Sequence, residues 1–218
     1  MIKVLIADDH PVVRMGLKLI LKNEPDILVE YEAKTAKETI SYVKKEKFNI
    51  VLLDISMPDR SGLDVLTQLK KQYPELPVLI LSMHSEDQYA IRVLKAGAAG
   101  YMTKDSAPDE LVKAVRKVTS GGRYVSPSLA EKLAFDLTNQ FDKSLHESLS
   151  DRELQVMCMI ADGKTITEIS NELYLSVKTV STYRARILKK MNMKSNADLI
   201  RYSIENKFVN TLPNNQLM

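Results

Sequence analysis

The sequence predicts a doubly wound α/β domain on a five-stranded parallel sheet, followed by a smaller all-α domain of four helices. Two observations carry the first half. Runs such as Val4-Leu5-Ile6 and Val51-Leu52-Leu53 are apolar at every position, which suits strands covered on both faces. Five strand candidates alternate with amphipathic stretches over about 120 residues, as repeated strand–helix units do. A third observation carries the second half: beyond Ser148 no run has strand character.

Along the chain, strands are expected at residues 3–7, 27–32, 50–53, 78–81 and 100–103, and helices at 11–22, 36–45, 63–72, 88–96 and 108–119. From Gly121, "GGRYVSPS" is a turn-rich break. A weakly helical piece, 129–137, and the polar stretch "TNQFDKSLHES" follow it, so 125–147 reads as a linker with one short helix. Further helices are expected at 151–162, 166–173, 177–191 and 197–206. In the first of these Leu154, Met157, Ile160 and Ala161 repeat at helical spacing; Gly163 ends it, and Thr165 caps the next. Ile166, Ile169 and Leu173 are expected to pack inward, as are Val177, Val180, Ile187 and Leu188. The expected domains are therefore 1–124 and 148–208, with a disordered tail at 209–218.

Composition narrows the function. Hydrophobic residues make up 44% of the chain and charged ones 27%, enough core for two globular domains. No apolar run approaches the ~20 residues of a membrane span. The start, Met1-Ile2-Lys3-Val4, lacks the basic-then-apolar build of a secretion leader, so a cytoplasmic protein without a membrane partner is expected. Cys158 is the only cysteine, which excludes an internal disulfide and a thiolate metal site. The net charge of +3 is unevenly placed. Between Ser176 and Lys194 stand six bases (Lys178, Arg184, Arg186, Lys189, Lys190, Lys194) and no acid. One-sided charge in a short helical segment raises affinity for phosphates.

Parallel strands all end on one side, so the residues that follow them meet at a common rim. Here these are Asp8 and Asp9 after the first strand, Asp54 after the third, Ser82 after the fourth and Lys104 after the fifth. Each has an ordinary use alone: Asp54 as a turn aspartate, Asp9 as a helix cap, Lys104 as an exposed charge. Together, three carboxylates must either be partly protonated or be neutralised by a hard divalent cation, and oxygen-only ligands favour Mg²⁺. Such an ion accepts phosphate oxygens, and Lys104 adds a point charge. Asp54, central in the sheet, is placed as a nucleophile that forms an aspartyl-phosphate.

The segments "LIADDHPVVRMGL", "VLLDISMPDRSGLDVL", "VLILSMHSED" and "AGAAGYMTKD" together resemble the receiver domain of bacterial two-component response regulators, across essentially all of 1–124. The resemblance implies a flavodoxin-like fold and an Asp54 that accepts a phosphoryl group from a sensor histidine kinase. It implies Asp8, Asp9, Asp54 and the Ser56 backbone carbonyl as Mg²⁺ ligands, with Lys104 touching the phosphoryl group. Ser82 and Tyr101 match a hydroxyl and an aromatic ring that turn inward in concert. An ordinary half-buried strand tyrosine stays open as the alternative for Tyr101. Phosphate brings charge and strong acceptors, which can recruit a hydroxyl and a lysine.

The region from "LSDREL" to "NADLI" resembles the LuxR-type helix-turn-helix of NarL/FixJ-class regulators, over 144–208. The resemblance implies 177–190 as the recognition helix of a double-stranded DNA binder. Ser181, Thr182 and Ala185 would face base edges with Arg184 beside them, while Lys178, Thr179, Tyr183, Arg186 and Lys189 would lie nearer phosphates. Because Ser181 and Ala185 are short, Arg184 is expected to carry more of the readout. A homodimer on phosphorylation, gripping an inverted repeat, is implied as well, with 195–205 as the usual dimer contact and RNA polymerase as a candidate partner. The sequence thus reads as a phosphorylation-switched transcription factor. A Mg²⁺-dependent phosphohydrolase of the haloacid dehalogenase type is the rival, but Ser56 stands where such enzymes usually carry a second aspartate. A phosphate-independent DNA binder with a vestigial receiver fits poorly with a complete acid–lysine set.

Overall fold

Five strands, β1 (Ile2–Ala7), β2 (Ile27–Ala33), β3 (Ile50–Asp54), β4 (Val78–Ser82) and β5 (Gly100–Thr103), form one parallel sheet in the order β2-β1-β3-β4-β5. The computed structural model describes residues 1–57, 59–83, 86–106, 108–138, 145–206 and 208. Pro58, His84 and Ser85 of the quoted segments, the middle of the expected linker and the expected tail at 209–218 lie outside the described residues. The chain divides into two compact units, Met1–Asn139 and Gln140–Met218.

β3 and β4 are buried at every position, as their unbroken apolar runs demand. The crossovers are α1 (Pro11–Lys22), α2 (Ala36–Lys45), α3 (Gly62–Gln72) and α4 (Glu86–Lys95), and α5 (Pro108–Thr119) follows β5. Val4, Ile6, Leu52, Leu79 and Leu81 share one core with Leu21 of α1 and Leu111 and Val115 of α5. Alternate residues Leu5, Val51, Leu53 and Ile80 are buried on the opposite face, so the sheet is covered on both sides. Among the described residues no helix is long and apolar enough to cross a membrane.

Two local devices shape the loop after β3. The Asp59 carboxylate accepts the backbone N–H groups of Ala36 and Lys37, at 2.8 and 3.1 Å, which ties this loop to the start of α2. Gly62 donates its N–H to the Ile55 carbonyl at 2.8 Å, and a Cβ there would overlap the Asp54 carbonyl oxygen. Only glycine lets α3 begin this close to the end of β3.

α4 and α6 (Pro127–Thr138) each begin two residues before their expected positions. Apolar periodicity marks the packed face and is blind to the polar residues that open a helix. At α6, the Ser126 hydroxyl accepts the Leu129 N–H at 3.1 Å, and Pro127 supplies a preset first turn. Both Ser126 and Ser128 then donate to the Glu86 carboxylate at the head of α4, at 2.6 and 3.0 Å. α6 packs on α4, and Tyr124 bridges to Gly100, so the chain after α5 lines the outer edge of β5.

In the second unit a short 3-10 turn, Leu145–Ser148, precedes α7 (Asp151–Ala161), α8 (Ile166–Glu172), α9 (Val177–Lys190) and α10 (Asn196–Glu205). Ser150, Thr165 and Ser195 open α7, α8 and α10 with reciprocal capping boxes, and Ser176 caps α9. Each cap is worth about 1 kcal/mol, so these short helices have defined starts. α7 is buried from Glu153 to Ala161 and packs against α8, α9 and α10, which makes it the hub of the unit.

The Gly62→Ala chain is expected to be less stable by about 1–3 kcal/mol, because α3 or the β3 end must shift to admit the methyl group. Urea unfolding of the two proteins checks this, and equal midpoints would remove the close approach as the reason for glycine.

Candidate functional site

In this strand order the chain reverses direction between β1 and β3, and a crevice opens at their carboxyl ends. Ala7 lies opposite Leu53, so the next residues, Asp8 and Asp54, stand side by side at the rim. Ser82 pairs with Thr103 across β4 and β5, which puts Ser82 and Lys104 on the same rim. The Lys104 N–H donates to the Ser82 carbonyl at 2.8 Å. Its ammonium then reaches back across the sheet end. Lys104 Nζ lies 2.7 Å from Asp8 Oδ2 and 2.8 Å from Asp54 Oδ2, and the three side chains are 5%, 2% and 2% exposed.

Asp9 is half-buried beside this triad, with the exposed His10 Nδ1 2.8 Å from its Oδ1. Ligand atoms of Asp8, Asp9, His10 and Asp54 all fall within 4.8 Å of one another. Burial raises the Asp54 carboxyl above the ordinary aspartate range and the Asp8 charge adds to this, while Lys104 and the Ser56 backbone N–H work the other way. For Lys104, burial favours the neutral amine, but Asp54 and Asp8 outweigh it and the ammonium is held above its usual value. One ammonium therefore serves two buried carboxylates, with a third, Asp9, beside them. The surplus negative charge and the hard oxygen donors fit a small divalent cation.

Ser82 and Tyr101 are both completely buried, so Tyr101 is not the half-buried strand residue of the simpler alternative. Arg14 is a residue that the sequence reading passed over. It is buried in α1, and its Nη1 donates to the Asp8 carbonyl at 2.8 Å while Nε lies 3.4 Å from the Glu32 carboxylate. It thus holds the turn that carries Asp8 and Asp9. The available signal was a charge seven residues before Leu21 on the buried stripe of α1.

A second candidate site is the outer side of α9. Lys178, Ser181, Thr182, Ala185, Arg186 and Lys189 are exposed; Thr179, Tyr183 and Arg184 are half-buried; Val180 and Ile187 are in the core. Ser176, Lys178, Thr179, Thr182, Tyr183 and Arg186 line an open groove along this side. Two of the bases are engaged elsewhere. Lys190 donates to the buried Glu153 at 2.6 Å, and Arg184 Nε donates to Asn196 Oδ1 at 2.6 Å. The remaining bases of α9, Lys178, Arg186 and Lys189, are exposed on a helix that carries no acid, which suits a polyanion.

Residues 4–116 match the response regulator receiver domain family, and residues 147–203 match the luxR family of bacterial regulatory proteins. The chain is 36% identical to the response regulator UvrY of Escherichia coli strain K12 over 211 residues, 96% of this chain and 97% of that protein. It is 37% identical to the response regulator GacA of Pseudomonas aeruginosa over 210 residues, 96% and 98% of the two. A solved structure of RcsB from Salmonella enterica serovar Typhimurium, bound to promoter rprA in the presence of phosphomimetic BeF3⁻, is similar with a TM-score of 0.63 and 25% identity, covering 92% of this chain and 97% of that one. A buried acid–lysine rim and a basic helix-turn-helix, matched in order along nearly the whole chain, have one meaning: the chain belongs to the NarL/FixJ class of two-component response regulators, DNA-binding proteins with a receiver domain and a LuxR-type helix-turn-helix domain.

Proposed function

We propose that Asp54 is the phosphoryl acceptor through which a sensor histidine kinase controls DNA binding by this chain. One observation carries the reading: Asp54 ends the central strand β3 with its Oδ2 held by Lys104, beside Asp8. An Asp54 carboxylate oxygen attacks phosphorus, the bond from phosphorus to the donor nitrogen breaks, and an acyl phosphate forms. Mg²⁺, held by Asp8, Asp9, Asp54 and the Ser56 carbonyl, supplies positive charge against the phosphoryl oxygens when bound. Lys104 transfers its hydrogen bonding from Asp54 to a phosphoryl oxygen, and its pairing with Asp8 keeps it in place until then. The Ser82 hydroxyl bonds the incoming phosphate, and Tyr101 settles with it. Self-phosphorylation and self-dephosphorylation are the only chemistry assigned.

The working division is a receiver at 1–124, a linker at 125–147 and a DNA-binding domain at 148–208. α9 enters the major groove with Ser181, Thr182 and Ala185 toward base edges, while Lys178, Thr179, Tyr183, Arg186 and Lys189 lie along phosphates. That the similar RcsB was solved bound to a promoter supports DNA binding by this chain. Phosphorylation favours a homodimer on an inverted repeat, since two linked modules gain from effective concentration. Such a dimer at a promoter in the cytoplasm has RNA polymerase as its next partner.

Incubation with Mg²⁺ and acetyl phosphate is expected to add one labile phosphoryl group to the wild type and none to Asp54→Asn, as read by mass. Binding to an inverted-repeat duplex should tighten only for the wild type. Steady hydrolysis of many phosphate esters would favour the phosphohydrolase, and binding indifferent to both treatments would sink the switch.

Lys189→Ala is expected to weaken binding on all duplexes alike and to flatten the slope of log affinity against log salt by roughly one. A changed base preference in that titration would mean that Lys189 sits on bases.

A further inference from the structure

Arg184 stands four residues after buried Val180 and three before buried Ile187, so it lies on the core-side flank of α9. Ser181 and Ala185, four apart and both exposed, form a separate line along the helix. The Arg184 guanidinium is correspondingly half-buried, and its Nε–H donates to Asn196 Oδ1 at 2.6 Å. That carboxamide is not needed by its own helix. The Ser195 hydroxyl accepts the Asp198 N–H, and the Asp198 carboxylate accepts the N–H groups of Lys194 and Ser195.

α7 packs against both α9 and α10. Apolar packing of that kind sets how far apart the two outer helices lie, but it is weakly directional. A charge-assisted hydrogen bond between a planar guanidinium and a carboxamide is directional, and it fixes one helix along and around the other. Swinging Arg184 out to a base edge would break this bond and leave the Asn196 oxygen without its donor.

We propose that Arg184 is a positioning residue: acting through Asn196, it locks the recognition helix α9 to the start of α10, and it does not read bases. The inference rests on α9 being the helix that enters DNA, and it differs from the expectation that Arg184 carries the readout. Because α10 is the expected dimer contact, the tie also joins the element that sets half-site spacing to the element that enters the groove.

The test uses the full chain, phosphorylated with acetyl phosphate, to select duplexes from a random pool. Affinity for the selected duplex is then measured for the wild type, Arg184→Ala, Asn196→Ala, the double variant and Asn196→Asp. Both alanine variants should weaken binding by a similar factor, roughly threefold to thirtyfold, and the double variant should be no weaker than either. Base preferences on reselection should match the wild type, and Asn196→Asp, which keeps the acceptor oxygen, should bind nearly as the wild type does. Thermal unfolding of all five should be similar. The proposal is overturned if Arg184→Ala broadens preference at a base pair while Asn196→Ala is silent, if both are silent, if their effects multiply, or if Asn196→Asp behaves like Asn196→Ala. A wild type that selects no sequence would instead remove the role of α9 on which the proposal rests.

Discussion

The receiver half depends on the bridge from Lys104 to Asp8 and Asp54. Two carboxylates 2% exposed cannot both stay ionised side by side unless a positive charge comes to them, and Lys104 Nζ does so at 2.7 and 2.8 Å. Removing one partner from such a buried set costs about 3–5 kcal/mol, so the ends of β1, β3 and β5 are held in mutual register by charge as well as by the sheet. The same bridge keeps the Asp54 carboxylate in a water-poor place without neutralising the whole cluster. One ammonium between the two buried carboxylates leaves surplus negative charge on the cluster, a balance that suits a small divalent cation.

The supporting parts follow from that requirement. Gly62 brings α3 against the Asp54 backbone, Asp59 ties the following loop to α2, and Arg14 holds the Asp8 carbonyl from beneath. Each contact fixes one approach to the rim through backbone groups. In the second unit the same logic appears in a different form. Caps define where each short helix starts, α7 sets the spacing, and single polar ties such as Lys190 to Glu153 and Arg184 to Asn196 set orientation.

Much of this was legible from the chain itself. Unbroken apolar runs such as Val51-Leu52-Leu53 announced strands covered on both faces, and the sheet formed has the β2-β1-β3-β4-β5 order of a doubly wound domain. Parallel strands finish on one side, so Asp8, Asp9, Asp54, Ser82 and Lys104 had to converge. Other features carried no comparable signal. The early start of α6 depends on Ser126 and Pro127, which periodicity does not weigh, and its docking depends on Glu86, 40 residues away. Full burial of Tyr101 is a property of what surrounds β5, where Tyr124 returns to bridge Gly100.

The division between the two sources has a physical basis. Periodicity, strand ends and caps are local properties, set by sterics and burial over a few residues, and from them the sequence alone determined the fold class, the rim residues and the basic stretch from Ser176 to Lys194. Which charge meets which partner depends on distances across the fold, and only the tertiary structure decided that. Within 177–190, Arg184 and Arg186 are like bases two residues apart, and from the sequence Arg184 was the one expected to carry more of the readout. In three dimensions roughly half a helix turn separates their fates: Arg186 stands in the open groove, and Arg184, on the flank between Val180 and Ile187, is held by Asn196 twelve residues on.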